Sequence, residues 1–397
     1  MAVAGIVTEY NPFHLGHKYQ LMETKSALKD DVALVCVMSG NFVQRGECAI
    51  LDKWSRARCA LAGGADLVLE LPTPWATASA ERFAQGAVEI LAATGVVDTL
   101  SFGSEDGALD DLRAAARCLE SEEYRTALKA ELDKGVSFAS ARERAARALI
   151  GKAADCLRTP NNNLAVEYIK ALPPRMKAIT VKRVGAAHDA TAEDGYASAS
   201  AVRALLLSGE MAEAGRYLPT GTIEELKRTV EEGRAPASLL HCERAILARL
   251  RTMSEADFAA LPDSGAAEGL PVRLVSAARS ALTLEEFCDS AKTKRYAYAR
   301  LRRLALWAFL GLAADDRLPR VPYVRVLGMN GRGKELLSAM KKTCTLPIIT
   351  KPAHARKLDG PACALFEAEA RCTDLYALCT PVPRPCGLEW TCGPVVL

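Results

Sequence analysis

Two histidines, His14 and His17, stand three residues apart in the run Val7-Thr8-Glu9-Tyr10-Asn11-Pro12-Phe13-His14-Leu15-Gly16-His17-Lys18-Tyr19-Gln20. On a helical turn that spacing puts both imidazoles on one face. Asn11-Pro12 breaks the apolar strand pattern of Val3, Ala4, Gly5 and Ile6, and His14-Leu15-Gly16-His17 opens a helix. Unpaired N–H groups at a helix start favour anions, and Gly16 allows close approach. Nucleotide phosphates fit such a place, where histidines can stabilise charge on a phosphoryl group in flight. His-x-G-His also arises by chance in solvated loops. Here, however, the chain has only five histidines in 397 residues, and two of them sit in this turn.

The elements around this turn alternate. Val32–Met38 is a continuous apolar run, as expected of a parallel strand buried on both faces. Leu51–Ala62 reads as a helix, Asp66–Leu71 as a strand, Glu81–Ala93 as a helix and Asp98–Phe102 as a strand. The pattern predicts an α/β fold with a doubly wound, Rossmann-like parallel sheet, and ligands in such sheets sit at the carboxyl ends of strands. The polar clusters Asn11–His17, Ser39–Gly46 and Gly103–Asp106 all follow strands and would meet there.

We expect a nucleotide-binding domain over residues 1–205, with a two-helix insertion near 108–154 and a last strand at Ile179–Val184. A helical domain over 206–312 and a small mixed α/β segment over 313–397 would follow.

Net charge of +3 neither requires nor excludes a polyanionic partner, so local clustering must decide. No apolar run approaches the ~18–20 residues of a membrane span. The start lacks a basic signal-peptide region, so a cytoplasmic protein with no membrane partner is expected. Thirteen cysteines include no C-x-x-C pair in the tail cluster Cys372, Cys379, Cys386 and Cys392. Reduced, unpaired thiols and no protein-built metal site are the reading adopted. Asp66 and Glu70 point to one side of a strand, as suited to a surface as to chemistry.

The histidine turn resembles the nucleotidyltransferase superfamily marked by T/H-x-G-H, which binds ATP at the end of strand one. The longer string Glu9-Tyr10-Asn11-Pro12-Phe13-His14, with Gly16 and His17, is similar to the bacterial tRNA(Met) cytidine acetate ligases. Those enzymes use ATP and acetate to acetylate a wobble cytidine. Ser39–Lys53 also resembles a family segment, with Cys48 where proline is usual; Arg45 and Lys53 are candidates for phosphate or RNA contact.

Gly103 in Phe102–Glu105, Asn161 and Asn162 in Thr159–Leu164, and Arg183 in Val181–Gly185, followed by His188-Asp189, match stretches lining the family's ATP pocket. Ala197–Arg203 resembles the second signature, I-S-S-T-x-I-R, with Ala197 for isoleucine and Ala199 for a hydroxyl residue. Hydroxyls of Ser198 and Ser200 at a helix start, with Arg203 one turn in, form an anion cradle. Ser200 can equally serve as a plain N-cap.

Over Lys292–Leu312 a helical wheel puts Lys292, Arg295, Arg302 and Arg303 on one stripe, with Arg300, Tyr296 and Trp307 beside it and Ala297, Leu301, Leu304 and Ala308 opposite. A cationic stripe with aromatics suits RNA as well as solvent, and the family has a similar stretch.

The resemblance implies that acetate attacks the α-phosphate of ATP, giving acetyl-adenylate and pyrophosphate, and that N4 of the wobble cytidine of elongator tRNA(Met) takes the acetyl group. His14 and His17 would stabilise the α-phosphate, and Arg183 and Arg203 the pyrophosphate. The Val7–Gln20 run with Gly103, Asn161, Asn162, Ser198 and Ser200 would hold ATP, and Mg²⁺ would travel with the nucleotide. Arg45, Lys292, Arg295, Arg302 and Arg303 would hold tRNA. Two other readings fit the same motifs: a superfamily enzyme acting on a small metabolite, and a non-catalytic RNA-binding protein on a degenerate nucleotidyltransferase fold. Nothing in the sequence sets the oligomeric state.

Overall fold

The structure, a computed structural model, describes residues 2–29, 31–183 and 195–397. β1 (Ala2–Thr8) lies at the middle of the main sheet, paired in parallel with β2 (Val32–Ser39) on one side and β6 (Thr99–Ser104) on the other. β5 (Leu67–Leu71) extends the sheet beyond β2, and β7 (Lys177–Lys182) extends it beyond β6, both in parallel. The chain thus leaves β1 in opposite directions, and the crevice between β1 and β6 is the topological switch point where such sheets bind ligands. β3 (Phe42–Val43) and β4 (Glu47–Cys48) form a small antiparallel hairpin after β2.

β2 shows why its run is continuously apolar. Val35 and Val37 face one hydrophobic layer, while Leu34, Cys36 and Met38 face the other. With both faces covered there is no polar side to alternate with.

The region expected to hold two inserted helices holds three, Leu109–Glu120, Glu122–Leu132 and Phe138–Ile150, followed by a 3-10 segment over Gly151–Arg158. Ser121 and Ser137 supply the extra stops, each accepting a backbone N–H as an N-cap. Residues 205–312 are helical apart from connections; Leu206, Leu218 and Leu226 pack into one of the cores flanking the main sheet, while the part from Ala237 onward packs round another core that includes Phe258, Phe287 and Trp307 together with Phe42 and Tyr376. Trp307 also donates its indole N–H to Thr77 Oγ1 at 2.8 Å, joining that core to the connection that follows β5.

The C-terminal segment is mixed α/β but joins the main sheet. β8 (Val324–Met329) pairs antiparallel with β5 and in parallel with β9 (Ile348–Ile349) and β10 (Val395–Val396). A buried ionic cluster fastens this join. Lys53 Nζ lies 2.6 Å from Glu70 and 2.7 Å from Glu389, and Arg325 lies 2.9 Å from Glu389 and 3.4 Å from Glu70. Among the described residues no helix is long and apolar enough to cross a membrane.

Candidate functional site

β1 ends at Thr8, and Tyr10 takes φ 47°, an uncommon value for a residue with a side chain, in the turn that redirects the chain. The helix Leu15–Leu28 then starts with His14 as its N-cap. His14 Nδ1 accepts the Gly16 N–H at 3.0 Å, and His17 Nδ1 accepts the His14 N–H at 3.3 Å, a capping box built from two imidazoles. With Nδ1 an acceptor in both rings, the proton of each neutral imidazole sits on Nε2. The rings stack with centroids 3.8 Å apart and planes inclined by 29°. A Cβ on residue 16 would lie 2.8 Å from His14 Cε1, so this glycine makes room for the imidazole itself rather than only for an incoming anion.

Burial lowers the His14 pKa to about 3, helped by Arg183 and Arg203. Burial, His14 and Arg183 likewise push His17 well below the usual imidazole value, and the Pro12 carbonyl opposes them. Both rings are therefore neutral.

The histidines open onto a cavity of about 480 Å³ at the switch point. From the expected nucleotide set, Val7, Thr8, Glu9, Gln20, Gly103, Asn161, Arg183, Ser198, Ser200 and Arg203 border it with them. Phe83, Phe102, Leu164 and Tyr168 form its apolar wall. Ser198, not Ser200, is the N-cap of the helix Ala199–Leu207, accepting the Ala201 N–H at 3.2 Å. Ser200 Oγ instead accepts from Arg203 Nη2 at 3.3 Å, while Arg203 Nη1 donates to the Asn11 carbonyl at 2.9 Å. Neutral imidazole donors, two guanidinium side chains and a helix start converge on one cavity, the equipment for holding and transferring a phosphoryl group.

The chain matches the model of the HIGH Nucleotidyl Transferase family over residues 1–386. A tRNA(Met) cytidine acetate ligase of Thermoanaerobacter sp. (strain X514) is 38% identical over 401 residues, covering 98% of each chain. The chain belongs to the tRNA(Met) cytidine acetate ligase family of HIGH nucleotidyl transferases. One of Listeria monocytogenes serotype 4b (strain CLIP80459) is 40% identical over 386 residues, covering 95% of each. The apo crystal structure of Thermotoga maritima TmcAL superposes with a TM-score of 0.93 at 35% identity, and its form bound with alpha-thio ATP with 0.91 at 34%; both comparisons cover 100% of each chain.

Within this ligase-family frame, several expected site residues stand behind the cavity rather than on it. Tyr10, Asn11, Pro12 and Phe13 are buried. Asn11 Oδ1 accepts the Ile50 N–H, and the Tyr10 and Phe13 rings meet edge to face at 4.8 Å. Leu15 donates its N–H to Tyr217, and Lys18 is exposed. Gly16 and Tyr19 border a small adjoining recess with Tyr196. Asn162 is buried, its Oδ1 accepting the Glu105 N–H at 3.1 Å, so it braces the loop while Asn161 reaches the cavity. Glu105, given no role of its own within the Phe102–Glu105 segment, organises that loop further by accepting from Asn161 at 2.7 Å and Thr159 at 3.0 Å. The expected strand residue Val184, together with Gly185, His188 and Asp189, lies outside the described residues.

The basic stripe is broken. The helix runs from Tyr298 to Leu310, and Lys292–Ala297 is a connection. The reason is Tyr296, which is buried and donates its hydroxyl to the Glu268 carbonyl at 2.9 Å, turning the chain. Lys292 and Arg295 stay exposed, and so does Ala297, which the wheel had placed toward the core. Trp307 is core, not a stacking platform. Arg302 pairs with Glu47 at 2.5 Å, and Arg303 borders the nucleotide cavity together with Arg45 and Gln44. Gly46 sits at the contact: with φ 76°, its Cβ would meet the Arg302 backbone at 2.6 Å.

Lys53, a candidate for phosphate or RNA contact, is wholly buried in the ionic cluster and reaches neither. Glu70 belongs to the same cluster, and Asp66 accepts the Leu34 N–H at 2.8 Å and a hydrogen bond from Asn330 at 2.9 Å. Both are structural. The thirteen cysteines are free thiols, with Cys242 and Cys379 in sulfur–sulfur contact at 3.5 Å. Arg56 gave no sequence signal; it is buried and donates to the carbonyls of Glu9, Gly40 and Leu51, holding three site loops together.

Proposed function

We propose that this chain ligates acetate to N4 of the wobble cytidine of elongator tRNA(Met), using ATP and releasing pyrophosphate and AMP. The observation that carries this reading is the stacked His14–His17 pair facing Arg183 and Arg203 across one cavity. An acetate oxygen attacks the α-phosphorus. The neutral imidazole N–H groups stabilise the extra charge on the five-coordinate phosphorus without forming a bond to it. Arg183 and Arg203 hold the departing pyrophosphate, and Asn161 with Gly103 holds the nucleoside. The N4 amine then takes the acetyl group from the adenylate.

Mg²⁺ accompanies ATP. Glu9 is the only acidic side chain among the described residues bordering the cavity, a sparse donor set that leaves the ion to phosphate oxygens and water. ATP and tRNA place the work in the cytoplasm. The tRNA approaches over the exposed cations Lys292 and Arg295, with Arg45 and Arg303 at the cavity and Arg302 beside it.

The test mixes protein, ATP and radiolabelled acetate with and without bulk tRNA. Label entering tRNA is the expected result. Acetyl-adenylate without labelled tRNA favours an enzyme acting on a small acceptor, and no turnover favours a non-catalytic RNA-binding protein.

A further inference from the structure

We propose that the part of the cavity walled by the β3–β4 hairpin and the helix Tyr298–Leu310 is the subsite for the amine-bearing base, and that Glu9 takes the proton the amine sheds during acetyl transfer. This rests on the ligase reading above.

Glu9 directly follows β1 and is held at both ends. Its carboxylate Oε1 accepts the Gln44 N–H at 2.8 Å, and its carbonyl accepts from Arg56. The side chain borders the cavity beside Gln44, Arg45, Arg203 and Arg303, on the side where the hairpin meets the helical region. A triphosphate gains nothing from a carboxylate, since like charges repel, so an acid placed inside an anion site has another partner.

The second half-reaction supplies that partner. The N4 nitrogen attacks the acetyl carbonyl carbon, forming the C–N bond. Collapse of the tetrahedral intermediate breaks the C–O bond to the adenylate, and AMP leaves with the electron pair. Nitrogen has gained a bond and must lose one proton, which passes to Glu9 and from there to solvent as products leave. Burial raises the Glu9 pKa, against the pull of the Gln44 N–H and of Arg203, Arg45 and Arg56, which strengthens it as a proton acceptor. A carboxylate is also the acceptor by which proteins recognise the cytosine amine. Uracil presents a carbonyl at that position and would be repelled.

Glu9→Gln keeps the size and an oxygen for the Gln44 N–H. Two half-reactions are measured: acetate-dependent exchange of pyrophosphate into ATP, and single-turnover acetyl transfer to tRNA as a function of pH. We expect exchange within about threefold of wild type, and transfer slowed roughly 10²–10⁴-fold with its acid limb lost. Glu9→Asp, which keeps the base but withdraws it, should transfer slowly with the acid limb retained. Equal damage to both half-reactions would make Glu9 a nucleotide contact, and unchanged transfer would make it a bystander; either result overturns the proposal. Absence of acetate-dependent exchange in the wild type overturns the ligase reading itself, and is seen before any variant is made.

Discussion

Arg203 Nη1 donates to the main-chain carbonyl of Asn11 at 2.9 Å, joining two motifs separated by 192 positions. The same guanidinium reaches Ser200 Oγ at 3.3 Å and lies 3.8 Å from Glu47 of the hairpin. It therefore ties the histidine turn to the second helix start and to the hairpin, and in the proposed reaction it presents positive charge to pyrophosphate.

Arg203→Ala should slow adenylate formation on the order of 10²-fold, the scale of one lost transition-state donor, while transfer from pre-made acetyl-adenylate stays nearly intact. Arg203→Lys should recover part of the loss, because a point charge remains but the fork bridging Asn11 and Ser200 does not. Equal slowing of both half-reactions would show that the bridge, not the charge, is what matters.

His14→Ala and His17→Ala should each reduce turnover roughly 10²–10³-fold with a much smaller change in ATP affinity. In the proposed reaction the charge they meet is larger at the five-coordinate phosphorus than in bound ATP. The two losses should not add, because the rings stack and cap one another's turn. Single-turnover rates for the two variants and the double variant decide it; near-normal rates in both single variants would remove the pair from the mechanism.

Glu369 accepts from the Thr73 N–H at 2.6 Å and from its hydroxyl at 2.9 Å. Burial, with Glu70 nearby, raises its pKa to about 8. The folded state thus keeps a proton that the unfolded chain releases near the ordinary carboxylate value. The resulting stability is full below that value and is lost as pH rises through about 8. Wild-type Tm should fall from pH 6 to 9, and Glu369→Gln should fall less. Parallel pH profiles would show that Glu369 is ionised throughout.

With Arg302 tied to Glu47 and Arg303 at the cavity, the exposed cations of the connection are Lys292, Lys294 and Arg295. Replacing all three with alanine should flatten the log–log salt slope of tRNA binding by about 2 units, at roughly −0.7 per single-strand contact. ATP affinity should not change. An unaltered slope would mean that this surface is merely solvated.

Local sequence decided the elements and the first half of the site. The β1 turn, the continuous run of β2 and the helix start at His14 follow from neighbours in the chain, through strand period, a proline break and capping geometry. The strand–helix alternation likewise fixed the class of sheet, and with it the edge where ligands gather. Side-chain allegiance across long separations was decided only by packing. Lys53 and Arg302 look alike as basic residues, yet one is sealed by Glu70 and Glu389 and the other is paired with Glu47, because β8 and the C-terminal helices close over the first and the hairpin meets the second. Tyr296 ended the basic helix by burying its ring, a choice a helical wheel cannot register since it assumes the helix it measures. Arg56 carried no motif at all, and Glu105 lay in a motif segment that gave no hint of its role. Their importance lies in which backbone groups the fold brings within hydrogen-bond reach, and no local pattern encodes that.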